Sequence, residues 1–172
     1  MAIKRVYKKK FKGVTVKSGY IYSFKYQSWE NDPNPVVIMM YALDGINPNT
    51  GHQWRFFQAI NFSYIPRTVR RQFAQDWKST FDRTNGNVKF TWELVKRRYP
   101  YLQNAVRRYF FKPTYYITKL YEVPYDDMES VIVSTWSKDF SKKIKTSLLQ
   151  KFRRAMKGRR EIMSGRRPPR RG

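Results

Sequence analysis

The apolar rhythm of this chain changes at Ile65-Pro66, and that change limits the fold more than any other feature. Before it, aromatic and β-branched residues come in short runs separated by turn formers. Tyr20, Tyr22, Phe24 and Tyr26 fall on one side of an alternating run, with Ile21, Ser23 and Lys25 on the other, which is the period of a strand. Val36–Leu43 (VVIMMYAL) is a continuous apolar run and suits a central strand covered on both faces. His52–Phe62 gives another strand, with Trp54, Phe56 and Gln58 on one side. The stretches 30–35 (ENDPNP) and 44–51 (DGINPNTG) are dense in turn residues. Past Pro66 the spacing becomes helical, with Val69, Phe73, Trp77 and Phe81 recurring every four residues. Pro66 fits a first turn, where its missing N–H costs nothing.

Short strands followed by helices predict an α+β fold: a small, bent antiparallel sheet or an SH3-like barrel, with packed helices. The sheet is expected from residues about 13–65 and from Thr114–Tyr121 (TYYITKLY). Thr91 is placed to cap a helix that Pro100 stops. Leu102, Ala105, Val106, Tyr109 and Phe110 then follow a helical spacing, so Tyr101–Phe111 reads as a second helix with Arg107 and Arg108 outward. Asp126, Asp127 and Glu129 follow Pro124 and suit the start of a helix. From Lys138, the residues Phe140, Ile144, Leu148, Phe152 and Ala155 form one face of a basic amphipathic helix that Gly158 can end. The expected domains are a basic arm at 1–12, an α+β core at 13–137, the basic helix at 138–158, and a flexible arginine-rich tail at 159–172.

The charge is extreme and unevenly placed. There are 36 Lys and Arg against 12 Asp and Glu, a formal net charge of +24. Residues 19–66 are close to neutral, whereas 1–18, 67–119 and 138–172 carry +7, +10 and +12. Self-repulsion on this scale destabilises a compact state unless anions are near, which points to a polyanionic partner. The absence of cysteine excludes disulfides, thiolate zinc sites and a cysteine nucleophile. A single histidine, His52, makes a Ser-His-Asp triad improbable. No apolar run approaches the roughly 20 residues of a membrane-spanning helix, and no cofactor is expected.

Phosphate neutralisation therefore leads. The candidate nucleic-acid contacts are Arg67, Arg70, Arg71, Lys142, Lys143, Lys145, Arg153 and Arg154, with Lys8, Lys9, Lys10, Arg166, Arg167, Arg170 and Arg171 as wrapping arms. The tyrosine-rich strand could instead be a base-stacking platform, although core packing explains it more simply. Asp32, Asp44, Asp76, Asp82 and Glu93 (with Lys96 nearby) are the carboxylates a metal-dependent nuclease would need, but their spacing matches no known motif.

The stretch GYIYSFKYQSWENDPNPVVIMMYALDG, followed by AINFSYIPRTVRRQF and later YYITKLYEVPYDDMESVIVSTW, resembles a family of small virion proteins of contractile-tailed phages, often labelled DNA end protectors. The likeness spans about residues 19–136. One departure is Ile60-Asn61-Phe62-Ser63-Tyr64, where the family usually has Leu-Asn-Leu-His-Tyr. The resemblance implies a non-enzymatic protein of the phage virion, assembled in the host cytoplasm. It would bind DNA without sequence preference, contact other virion proteins, and shield DNA ends. Alternatives are a structural neck, tail or baseplate protein, a head-completion nuclease, and a ribosomal-type RNA binder.

Overall fold

The computed structural model describes residues 4–11, 14–26, 32, 34–46, 53–110, 117–136 and 149–157. Among the described residues eight strands occur in chain order: β1 (Lys4–Val6), β2 (Lys8–Phe11), β3 (Val14–Lys17), β4 (Ile21–Tyr26), β5 (Val36–Ile46), β6 (Gln53–Asn61), β7 (Val106–Phe110) and β8 (Ile117–Glu122). The helices are α1 (Arg67–Arg83), α2 (Trp92–Arg98), α3 (Met128–Ser134) and a helical segment at 149–157. Short 3-10 turns lie at Phe62–Tyr64 and Pro100–Ala105.

The fold is α+β. The main sheet is antiparallel, ordered β7-β6-β5-β4-β8, and is not closed into a barrel among the described residues. The long β5 organises it. One edge of β5 pairs with β6 along its length. The other edge is shared: Val36–Ile38 pair with β4, and Ala42–Asp44 pair with β1. A bulge between Met39 and Tyr41 in the β5–β6 register bends the sheet where that edge changes partner. The apolar run predicted as a doubly covered strand is β5, and Val36 through Leu43 are all buried.

The two faces of the sheet bury two clusters. On one side α1 lays Val69, Phe73 and Trp77 against Ile21, Ile38, Met40 and Ile60. Each such side chain contributes about 1.5–3 kcal/mol by leaving water. On the other side Phe24 packs edge to face with Phe57 and Tyr109, which tilt against each other, and Tyr22, Val37, Met39 and Ile117 complete the cluster. The alternation read in Tyr20–Tyr26 therefore holds, and its rings belong to the core. Gly19 joins the sheet to α1. Its φ is +86°, its carbonyl accepts the Trp77 indole N–H at 3.0 Å, and a Cβ there would sit 2.7 Å from the Val88 carbonyl oxygen.

Two expectations are corrected. Residues 4–11 form β1 and β2 rather than a free arm, because β2 pairs with β3 and β1 with β5. The helix read over Tyr101–Phe111 is a 3-10 turn followed by β7. Pairing with β6 satisfies the backbone of Val106–Phe110, and tertiary pairing overrides the helical spacing. Pro124–Trp136 does hold a helix, α3, despite its β-branched valines. Of the basic helix predicted from Lys138, residues 149–157 are helical and 138–148 lie outside the described residues.

Candidate nucleic-acid interface

Arg70 corrects the predicted set of contacts. It is 1% exposed, and its guanidinium Nη1 donates to the carbonyls of Ile132, at 3.3 Å, and Thr135. Those carbonyls end α3, where the helix leaves acceptors unpaired and favours a cation. Burial, with some help from Arg67, pushes the Arg70 pKa down to about 10. Arg70 ties α1 to α3 and is not available to phosphate. Its neighbours Arg67 and Arg71 are exposed, as are Lys8 on β2 and Arg153 and Arg154 on the 149–157 helix. Lys9 and Lys10 stand in the β2 ladder opposite Val16 and Thr15. Lys142, Lys143, Lys145, Arg166, Arg167, Arg170 and Arg171 lie outside the described residues.

Asp32, Asp76, Asp82, Glu122 and Glu129 are used inside the protein. Asp32 is buried and accepts the Asn61 amide at 2.8 Å. Asp76 accepts from the Arg98 guanidinium at 3.0 Å and from the Tyr99 hydroxyl at 2.6 Å, joining α1 to the end of α2. Burial and that bond to Asp76 raise the Tyr99 phenol. Asp82 accepts from the Tyr125 hydroxyl, whose pKa that bond pushes up to about 12. Glu122 accepts from the buried Tyr22 hydroxyl at 3.1 Å, and Glu129 from Gln75 at 3.3 Å. Glu93 is exposed in the first turn of α2. The carboxylates considered for a nuclease are thus dispersed, and among the described residues no group of three or more acids and histidines is placed to hold a metal ion.

Cations settle on rings instead. Arg107 lies 3.8 Å from the centroid of Tyr64, Lys17 4.7 Å from Tyr20, Lys78 5.0 Å from Tyr125 and Arg5 5.1 Å from Tyr41. Lys89 on Tyr7, Arg98 on Tyr99, Arg108 on Phe56 and Lys96 on Trp92 follow at 5.3–5.6 Å. A chain of this size would ordinarily show about two such pairs. Ring faces therefore hold eight of the described cations without neutralising them.

Helix α1 divides the surface. Arg70, Gln75, Lys78 and Asp82 meet α3 and its leading turn on one flank. On the other, Gln72 borders the 149–157 helix and Asp76, one turn on, holds α2. That second flank is the basic one. It bears Lys96 and Arg97 of α2 and Lys151, Arg153, Arg154 and Lys157 of the last helix, all exposed. Phe152 packs edge-on to Tyr101 at 5.1 Å and fixes the last helix to the core. A cleft of about 300 Å³ lies between α1 and this helix, lined by Gln72, Phe152, Arg153, Met156 and Lys157. A larger one of about 540 Å³ runs along α2, lined by Val88, Lys89, Thr91, Glu93, Leu94, Arg97 and Arg98. The Thr91 hydroxyl caps α2 by accepting from the Leu94 N–H at 3.2 Å, as predicted. Lys89, Lys96, Arg97, Lys151 and Lys157 were absent from the predicted set. The signal for Arg97 was the Arg97-Arg98 pair itself, of which one member is bound to Asp76 and the other faces out.

Among the described residues no helix is long and apolar enough to cross a membrane. No protein-family model matches this chain, and comparison with curated proteins and with solved structures finds no match.

Proposed function

We propose that the protein binds nucleic acid through its phosphate backbone, without sequence preference and without catalysis, as a component of a phage particle. The observation that carries this reading is the division between charges. Asp32, Asp76, Asp82, Glu122 and Glu129 each accept a hydrogen bond from within the chain, while Lys96 and Arg97 of α2 and the cations of the last helix face outward. The outward field is strongly positive and suits a polyanion. Lys96, Arg97, Arg153, Arg154 and Lys157 supply the contacts, joined by Arg67, Arg71 and the basic residues beyond 157. The phage setting rests on the sequence resemblance across residues 19–136. On that reading the bound DNA is packaged or terminal DNA.

The test is a mobility-shift titration on linear and closed-circular duplexes at two salt concentrations, with exonuclease challenge of the linear form. Neutralising about six phosphates gives a slope of log K against log salt of about −5, and Arg97→Ala and Arg153→Ala each make it shallower by about 1. Preference for linear DNA with protected ends supports end protection. Equal affinity for circles supports general binding. No binding at moderate salt removes the reading.

A second reading, a structural protein of the neck, tail or baseplate, draws on the exposed Trp136 and Tyr121, which are 56% and 59% accessible. Exposed aromatic rings of this size suit a protein neighbour. Tighter binding to purified virion proteins than to naked DNA would favour it.

A further inference from the structure

We propose that the outer half of the sheet, over β1, β5, β6 and β7, is a surface for single-stranded nucleic acid, with Phe110 as the ring on which an unpaired base stacks. This rests on the nucleic-acid reading and adds the strandedness of the ligand. The register carries it. Arg5 pairs with Leu43, Leu43 with Phe56, and Phe56 with Phe110, so these four side chains form one row across four strands. Partners in register share a face, and neighbouring strands are about 4.8 Å apart. The next row holds Tyr41, Gln58 and Arg108 in the same way.

Tyr41, Leu43 and Phe56 are the buried members of these rows, and Arg5, Arg108 and Phe110 are the exposed ones. Arg5 covers Tyr41, and Arg108 covers Phe56. Phe110 ends the row. It leans on Phe56 at 5.5 Å and remains 45% exposed. Lys89, seated on Tyr7, lines the cleft along α2, where Arg97 stands; among the described residues Glu93 is the one acid lining that cleft. Rings that accept a base beside cations that follow the backbone are what single-strand binders combine. Along a duplex the base faces are covered by neighbouring pairs and only the two ends are open, so the ring would be idle over nearly all of its length. Charge complementarity favours a polyanion over an apolar protein segment, because Arg108, exposed two residues before Phe110 on β7, covers the same Phe56 ring that Phe110 leans on.

The experiment is fluorescence-anisotropy binding of the full chain to a labelled oligo(dT) and to a blunt duplex of equal length. Phe110→Ala and Phe110→Leu are both expected to weaken oligo(dT) binding roughly tenfold and duplex binding less than twofold, since both remove the stacking ring. Phe110→Trp restores affinity, and its added emission is quenched by the oligonucleotide. Arg108→Ala and Lys89→Ala each make the single-strand salt slope shallower by about 0.7. The Leu variant keeps an apolar contact on Phe56, and a thermal melt confirms that each variant is folded. Unchanged oligo(dT) affinity in both ring variants, or an equal loss on duplex, overturns the inference and leaves the wider reading standing. Failure of the parent chain to bind either nucleic acid overturns both.

Discussion

Asn61 is buried, and its side-chain amide is used three times. The Nδ2 group donates to Asp32 at 2.8 Å and to the Tyr109 hydroxyl at 2.7 Å, and Oδ1 accepts the Ser63 N–H at 2.8 Å. One residue thus caps the 3-10 turn after β6, holds Asp32 ahead of β5, and pins β7. Asn61→Asp would replace both donors by an acceptor facing a second carboxylate. A loss of about 3 kcal/mol or more in urea unfolding is expected, with the affinity of the folded fraction for DNA unchanged. A loss under about 1 kcal/mol would count against the network. Arg70 and Arg97 make a matched pair for the same logic. Arg70→Ala should cost about 3 kcal/mol of stability and leave the salt slope of binding intact, because it removes the donor to the end of α3. Arg97→Ala should do the reverse. Neither role is legible in the sequence. Asn61 stands out there as part of Ile60–Tyr64, but its partners lie 29 and 48 residues away. Arg70 looks like any residue off an apolar stripe, since α3 gives α1 a second buried side that the stripe does not record.

At the level of elements, what could be read was what local spacing decides. The α1 stripe, the Thr91 cap, the strand at Ile21–Tyr26 and the core strand Val36–Ile46 all follow from residues close in sequence. What could not be read was pairing. VRRYF fits a helix and a strand equally well, and the free edge of β6 selects the strand. Strand β8 carries a related detail. Ser23 pairs with Tyr121 and Lys25 with Thr118, so β8 has one extra residue, and Lys119 there has a φ of +52°. A left-handed conformation costs a residue with a Cβ about 1–2 kcal/mol, and glycine adopts it freely. Lys119→Gly is therefore expected to raise stability by about 0.5–1 kcal/mol, after the added flexibility of the unfolded chain is counted. A fall in the urea midpoint would show that Lys119 is held by something other than its backbone.

For the whole molecule, the buried phenols set an alkaline limit. Burial is the main cause that raises Tyr22 and Tyr99 above the ordinary 10.0, and the hydrogen bond to Asp82 raises Tyr125. A phenol raised on folding favours the native state while it is protonated. Its contribution is full below about pH 10 and is lost as pH climbs toward the raised value. Stability should fall above pH 10, and absorbance at alkaline pH should show one set of tyrosines ionising near 10 and another ionising only as the chain unfolds. A single smooth titration of all 13 tyrosines in the folded protein would refute this.

The order of the sheet also has a meaning in time. Strand β4 lies between β5, which follows it closely in the chain, and β8, which begins at Ile117. About 90 residues separate β4 from that second neighbour, and a ribosome adds roughly 5–20 residues each second. For about 5–20 s of every synthesis, the outer edge of β4 has emerged and its partner does not yet exist. An open edge is a template for another chain's strand. The late arrival of β8 is therefore the step at which a nascent chain of this protein is most exposed to mispairing with its neighbours on the same message.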